Sequence, residues 1–421
     1  MSFGFPSNPN NKKHFTTSAG HGFAFDSDRS AWAVGVRSPV SANTTNITDV
    51  SQLTDPNSLL DNNGSTLPIY ATENNLWDNT DDLTIGQMAY VTELNKICIW
   101  NGTGWFSATL TTYTPPAPFN WGGDRAVIAG GWRGSSNTNN IEYFSISSFT
   151  ASASFGTLGT SRHFLRGGGS NGTTGIFPGG YLSSSGPRTD EIKYVTTATT
   201  ANATLFGALT SAGDEVATAS NGVYGIMAGG GTRPSVIDYI TIATTSDATS
   251  FGSLTIEPRE GITATSDANY ILLSGGANLS GGSSETLVEY VVADTPGNAV
   301  NFGTLTTATD KATGFSDQTR CVIAGGEIAN TDYLDTIEYI TTAVGGTSTS
   351  FGNLTIKRGD PAGAGDGTYG VVVAGKPQGS NGTSVVATMD YLTIQTNSNA
   401  QSFGNLTNSR TGAGGLSGSA S

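Results

Sequence analysis

The sequence predicts an all-β chain: a six-bladed β-propeller over residues 121–421, preceded by an extended N-terminal arm and a small β module. Three observations carry this reading. A hydrophobic-charged-tyrosine triplet recurs as Ile141-Glu142-Tyr143, Ile192-Lys193-Tyr194, Ile237-Asp238-Tyr239, Val288-Glu289-Tyr290, Ile337-Glu338-Tyr339 and Met389-Asp390-Tyr391. Each is followed by a Phe-Gly pair, with the phenylalanines at 155, 206, 251, 302, 351 and 403. That spacing of about fifty residues is the length of one four-stranded propeller blade. Composition points the same way: 57 of 421 residues are Gly and only 12% are charged, which disfavours long helices and favours strands joined by tight turns. The third observation concerns the ends of the array. The first unit starts abruptly at Gly123-Asp124-Arg125, with no opening strand before it, while a surplus strand lies over 408–413. That last strand is expected to complete the first blade and so remove the exposed edges of an open stack.

Taken in order, residues 1–66 read as an arm. Apart from a strand at 31–36 they are irregular, and 43–64 is a polar Asn/Thr/Asp tract. Such a segment has too little apolar surface to offset its own ordering entropy, so it is expected to order against another subunit. Residues 67–108 form the small module, with strands at 88–91 and 96–100 and alternating apolar residues around Asn101-Gly102. Residues 109–120 hold Pro115, Pro116 and Pro118 and serve as a semi-rigid linker. Within the array, unit four sets the pattern: strands at 261–265, 270–274, 287–292 and 300–305.

Glycine pairs close the second strand of each unit at Gly130-Gly131, Gly179-Gly180, Gly229-Gly230, Gly275-Gly276 and Gly325-Gly326, with Ala374-Gly375 departing. They supply the positive φ of a tight turn and let backbones crowd near a central axis. The triplet tyrosines and the Phe-Gly phenylalanines read as wedges between adjacent blades. Arg162, Arg259, Arg358 and Arg410 recur at unit starts, with Lys311 in a related place and Asp214 breaking the series. Set against the acidic middle residue of the triplets, they suggest a recurring ion pair.

The formal charge of -14 repels phosphate backbones and anionic membrane surfaces, so nucleic-acid binding is not expected. No run is long and apolar enough for membrane insertion, and the first residues lack the charged start and apolar centre of a secretion signal. Cys98 and Cys321 stand far apart in strand-like apolar runs, where buried thiols rather than a disulfide framework are expected.

The Gly-Gly pair followed by a tyrosine and an aromatic anchor is similar to the kelch propeller pattern over 121–421, with Phe in place of the usual tryptophan. The wording of 237–254 resembles the kelch-like repeats of virion proteins of tailed bacteriophages, particularly marine phages and cyanophages. The segment Ile99-Trp100-Asn101-Gly102-Thr103-Gly104-Trp105 looks like a module of phage fibre and tail proteins. The resemblance implies a structural component of the virion, in the tail or capsid-associated. Its arm would dock on other virion proteins, several copies would assemble as a homo-oligomer, and the propeller would face outward toward a host-surface glycan. The loops at 132–140, 181–189, 277–284, 327–333 and 376–384 vary while the strands repeat, which is how a binding surface is built on a scaffold.

For catalysis the sequence offers little. His14, His21 and His163 show no metal-ligand or triad spacing. The ligand set of a kelch-like copper oxidase is missing, as are the Ser-x-Asp-x-Gly boxes of propeller sialidases. Asp310, Asp317, Asp360 and Asp366 are the acids from which a glycosidase pair could be drawn, and 78–82 the only tract resembling a calcium loop. No catalytic, cofactor-binding or metal-ligating residue is therefore assigned, no cofactor is expected, and the chain reads as a non-enzyme. A glycan-active enzyme is the competing reading, and a cellular kelch adaptor the third.

Overall fold

The computed structural model describes residues 123–420, apart from 150, 183–185, 234, 257–258, 330–331 and 380–382, together with seven strands between residues 14 and 109. The tract at 78–82 lies outside the described residues, as does most of the arm and linker. The chain divides into two compact units, Met1–Pro115 and Pro116–Ser421. Among the described residues every regular element is a strand, so the chain is all-β.

The first unit contains two sheets. His14–Thr16, Gly22–Asp26 and Ala31–Val34 pair antiparallel, so the segment read as an irregular arm carries a three-stranded sheet of its own. The alternation in Gly22-Phe23-Ala24-Phe25 is the signal for it, obscured by the surrounding polar residues. The second sheet joins Ile69–Tyr70, Met88–Val91, Lys96–Trp100 and Trp105–Thr109. Ala89, Val91 and Cys98 form its buried centre, with Trp105 packed against it.

The second unit repeats one antiparallel sheet six times. In the fourth sheet the order from inside outward is Thr263–Ser266, Tyr270–Ser274, Leu287–Val292, Val300–Thr304, within two residues of the strands read from sequence, with Gly346–Thr347 added parallel at the outer edge. The second sheet runs Gly169–Ser170, Thr174–Pro178, Glu191–Thr196, Thr204–Ala208, and the third is led by Val216–Ser220. The fifth is led by Thr313–Ser316 and the sixth by Ala362–Gly365. In the first sheet the innermost strand is the C-terminal one: Gly414–Gly418 pairs antiparallel with Arg125–Ala129. The surplus strand thus lies a few residues beyond 408–413, because Arg410 and Thr411 are spent in the connection that precedes it. Each sheet by itself stays open.

Six hydrophobic clusters join neighbouring sheets. Val127 and Ile141 meet Phe177 and Val195 between the first and second. Ile176 and Phe206 meet Met227 and Ile240 next, and Ile226 and Phe251 then meet Ile271 and Val291. Leu272 and Leu305 meet Cys321 and Ile340, Val322 and Phe351 meet Val372 and Leu392. Between the sixth sheet and the first, Val371 and Phe403 meet Ile128 and Phe144. The innermost strands touch in the same order, and Ala362–Gly365 of the sixth returns to Gly414–Gly418 of the first. Every triplet tyrosine meets its Phe-Gly phenylalanine edge-on, at 5.6–6.2 Å between ring centroids, within these clusters.

For five of the six phenylalanines the glycine that follows has a reason that lies in the next sheet. A Cβ at Gly207 would stand 2.0 Å from the carbonyl oxygen of Ser246, and at Gly252 2.1 Å from that of Gly297. The strand bulges beside these glycines, and the following sheet's loop fills the dent. At Gly404 no such carbonyl approaches; Phe149 packs on Phe403 and Tyr391 at that seam instead. The Gly-Gly turns have positive φ; the first glycine is crowded by the adjacent unit, as Gly229 is by the Arg259 carbonyl, and the second by the connection into its own innermost strand, as Gly230 is by the Asp214 carbonyl.

At the opposite end, five units turn from the innermost strand into the second through Asn171, Asn221, Asp267, Asp317 and Asp366. The Oδ1 of each accepts backbone N–H bonds from the residues two and three positions on. The residue after the acid or amide is left-handed, which costs a non-glycine about 1–2 kcal/mol. Gly172, Gly222 and Gly367 meet that demand; Ala268, at φ 84°, and Gln318, at φ 77°, do not. Gln318 is exposed, so Gln318→Gly is expected to stabilise the protein by up to about 1 kcal/mol, read as a rise in Tm, whereas Gly367→Gln should lower it.

Candidate functional site

Because consecutive strands are antiparallel, the five variable loops at 132–140, 181–189, 277–284, 327–333 and 376–384 all leave from one end of the sheets. At that end the chain enters each innermost strand through one left-handed residue: Phe164, Glu215, Gly261, Lys311, Asp360 and Gly412, with φ between 52° and 63°. Their backbones link across unit boundaries. Glu215 N donates to Phe164 O, Lys311 N to Gly261 O, Asp360 N to Lys311 O, and Gly412 N to Asp360 O. Left-handed glutamate, lysine and aspartate are strained, and strain of this kind persists where the surroundings over-determine it.

These residues form a buried charged collar. Arg166 reaches Asp360 at 2.6 Å and Glu215 at 3.5 Å, so one guanidinium ties the third unit to the sixth. Lys311 donates to Glu327 at 2.5 Å, and Asp310 accepts from Ser284 at 2.6 Å. Asp214, Glu215, Asp310, Lys311, Glu327 and Asp360 are all buried. Below the collar the innermost strands line an open pocket of about 120 Å³, mostly Ser, Thr, Ala and Gly with Arg166, Phe315, Pro361 and Leu416. That holds a few waters and no sugar chain.

Burial pushes the Glu215 carboxyl up to about 7, with Glu260 and Asp360 adding like-charge repulsion that Arg166 and Lys311 oppose. Burial likewise raises Glu260 and Asp310. A carboxyl raised on folding stabilises the fold fully below its unfolded pKa and loses that contribution as pH rises through the folded one. The window for Glu215 runs from about 4.5 to about 7. Glu215→Gln mimics the protonated form. It is expected to match the parent near pH 5 and to exceed it in stability at pH 8, by on the order of 3 kcal/mol at most, in urea titrations at the two pH values.

Beside the collar lies an aromatic hollow. Backbone pairing sets Tyr181 directly opposite His163 and Arg188, so the three side chains project to one side. The His163 and Tyr181 rings stack with centroids 5.6 Å apart, Phe164 adds an edge, and the Arg188 guanidinium covers the Tyr181 face at 4.6 Å. Arg188 is also ion-paired with Asp214.

Of the glycosidase candidates, Asp310 and Asp360 come to the collar, while Asp317 and Asp366 head turns at the far end. The recurring arginines are buried and pair as the repeat suggests: Arg410 with Glu142, Arg259 with Glu289 and Arg358 with Asp390. Three departures follow local chemistry. Lys193 occupies the second triplet, so Arg162 takes Glu191; Asp214 breaks the series, so Arg233 reaches Asp238 from a loop. Lys311 turns to Glu327, leaving Glu338 to Thr306 and Ser348. Sequence reasoning missed Arg166, Glu215 and Arg188 altogether. The available signal was the offset of two from the recurring arginines, which marks Phe164, Gly261, Asp360 and Gly412 as equivalent. Among the described residues no group of His, Cys, Asp and Glu is arranged to hold a metal ion, and no helix is long and apolar enough to cross a membrane. No protein-family model matches the chain, and no curated protein matches it.

Proposed function

We propose that the chain is a structural component of a tailed-phage virion, tail or capsid-associated. Its second unit would be a six-bladed kelch-like β-propeller displayed for host-surface recognition. The cyclic order of hydrophobic clusters and the seating of Gly414–Gly418 in the first sheet support the propeller. The observation that carries the recognition role is the gathering of all five variable loops at one end of a repeated scaffold. Such a platform, in several copies docked through the N-terminal segment, turns weak glycan contacts into firm attachment. Asp360 is tied to Arg166 and Asp310 accepts from Ser284, which favours binding over acid–base hydrolysis. Two measurements test the proposal. Peptides of this chain are expected in purified phage particles by mass spectrometry, and their absence overturns virion membership. Purified protein is expected to bind host cells without releasing oligosaccharide from capsule or lipopolysaccharide; released sugar would favour the enzyme.

A further inference from the structure

The hollow beside the collar has features that the packing of the sheets does not require. Gly231, next to the lining residue Thr232, stands at its polar edge. A Cβ placed there would stand 2.8 Å from Asp214 Oδ1, 3.0 Å from an Arg188 guanidinium nitrogen and 3.0 Å from Glu260 Oε2. Two carboxylates and a guanidinium therefore crowd against this glycine, at the edge of a hollow whose own lining includes His163, Phe164, Tyr181, Arg188 and Thr232. The rings of Phe164 and Tyr181 meet edge-on in the same hollow. His163 supplies a second, independent mark of a ligand. It is 7% exposed, it lines the same hollow, and its Nδ1 has no hydrogen-bond partner in the protein. A buried polar nitrogen without a partner costs about 1–3 kcal/mol, which a ligand hydroxyl would recover.

From this juxtaposition we infer that the hollow is a subsite for an uncharged hexopyranose, its apolar C–H face lying on Phe164 and against the edge of Tyr181, and its hydroxyls shared among Arg188, His163 and the carboxylates beside them, Asp214 and Glu260. Each group suits that ligand. An aromatic face buries sugar C–H groups from water. A carboxylate beside a guanidinium accepts from one hydroxyl and donates to its neighbour. Asp214 and Glu260, the carboxylates that act on Arg188, oppose an acidic sugar, as does the chain's net charge of -14. The inference rests on the recognition role proposed above and names one place for it.

The full-length protein is titrated with methyl glycosides of glucose, galactose and mannose, and separately with glucuronic acid, with binding followed by saturation-transfer NMR. At least one neutral glycoside is expected to bind in the millimolar range, and glucuronic acid more weakly. Tyr181→Ala is expected to weaken binding at least about tenfold. Tyr181→Phe keeps the ring and should retain it. Thr232→Ala, at an exposed residue of the hollow's rim, should leave Tm nearly unchanged and binding within about threefold. Silence toward all three neutral glycosides, a preference for glucuronic acid, or binding that Tyr181→Ala leaves intact would each overturn the assignment. Host-cell binding by the same variants separates the two proposals. Cells bound equally by parent and Tyr181→Ala protein would keep the recognition role and discard this subsite. Glycoside binding without cell attachment would keep the subsite and discard the role.

Discussion

Deleting residues 414–421 is expected to cost on the order of 5 kcal/mol or more and to abolish the single cooperative unfolding transition of the second unit. Three losses add. The Gly414–Gly418 strand gives up its full pairing with Arg125–Ala129. Leu416, buried between the second sheet and its own, leaves a hole lined by Gly168, Gly175 and Val127. The hydroxyl of Ser417, which donates to Gly365 O at 2.5 Å, no longer joins the first sheet to the sixth. A domain's whole stability is about 5–15 kcal/mol, so the truncated chain should be mostly unfolded or should melt in separate steps. The newly exposed edge, Arg125-Ala126-Val127-Ile128-Ala129, is apolar and would promote aggregation. Leu416→Ala isolates the packing part and should cost about 2–5 kcal/mol. Thermal unfolding followed by circular dichroism and light scattering reads all three outcomes. A truncated protein with unchanged Tm would show that the first three-stranded remnant is stable against its neighbours without the strand, and the latch would have no mechanical role.

How far the sequence reached depends on whether a feature repeats along the chain or arises from convergence across it. The Tyr–Phe pairs were legible because Tyr239 and Phe251 sit on adjacent strands of one sheet and recur at a constant interval. Likewise Glu289 with Arg259 could be read from the repeat alone. The reason for the glycine of Phe-Gly could not, since the carbonyl that forbids a side chain at Gly207 belongs to Ser246, in the following unit. The collar was less legible still. Arg166 meets Asp360 only because the sixth unit lies near the second, and no periodicity announces a contact between residues so far apart. The hollow is unique to one unit: His163, Tyr181 and Arg188 break the repeat rather than express it, and a reading built on recurrence passes over such residues. The sheet at His14–Thr16, Gly22–Asp26 and Ala31–Val34 was missed for a related reason, since its short strands do not recur.

Arg259→Met is expected to cost about 3–5 kcal/mol, more than any surface charge change. The guanidinium is fully buried and spends its nitrogens on three different acceptors: Nε on the Gly275 carbonyl at 2.6 Å, one terminal nitrogen on the Leu273 carbonyl at 2.9 Å, and the other on Glu289. Burial on its own pushes the arginine toward losing its proton, and Glu289 opposes this. Glu289 in turn accepts from the backbone N–H and the hydroxyl of Thr255, which belongs to the third sheet. The same clasp recurs where Thr210 meets Asp238, Thr355 meets Asp390 and Thr407 meets Glu142. Removing the arginine thus strands a buried carboxylate at the seam between two sheets, and the lost stability exceeds what the ion pair contributes in net terms. Two further variants separate those quantities. Arg259→Lys keeps the charge but cannot reach three acceptors in a plane, so it should lose most of the same stability. The double variant Arg259→Met/Glu289→Leu removes both buried charges and should recover part of the loss, with a coupling of at least about 2 kcal/mol in a double-mutant cycle by urea unfolding. Strictly additive single effects would mean that the two side chains act independently, and that Thr255, rather than the arginine, holds Glu289 in place.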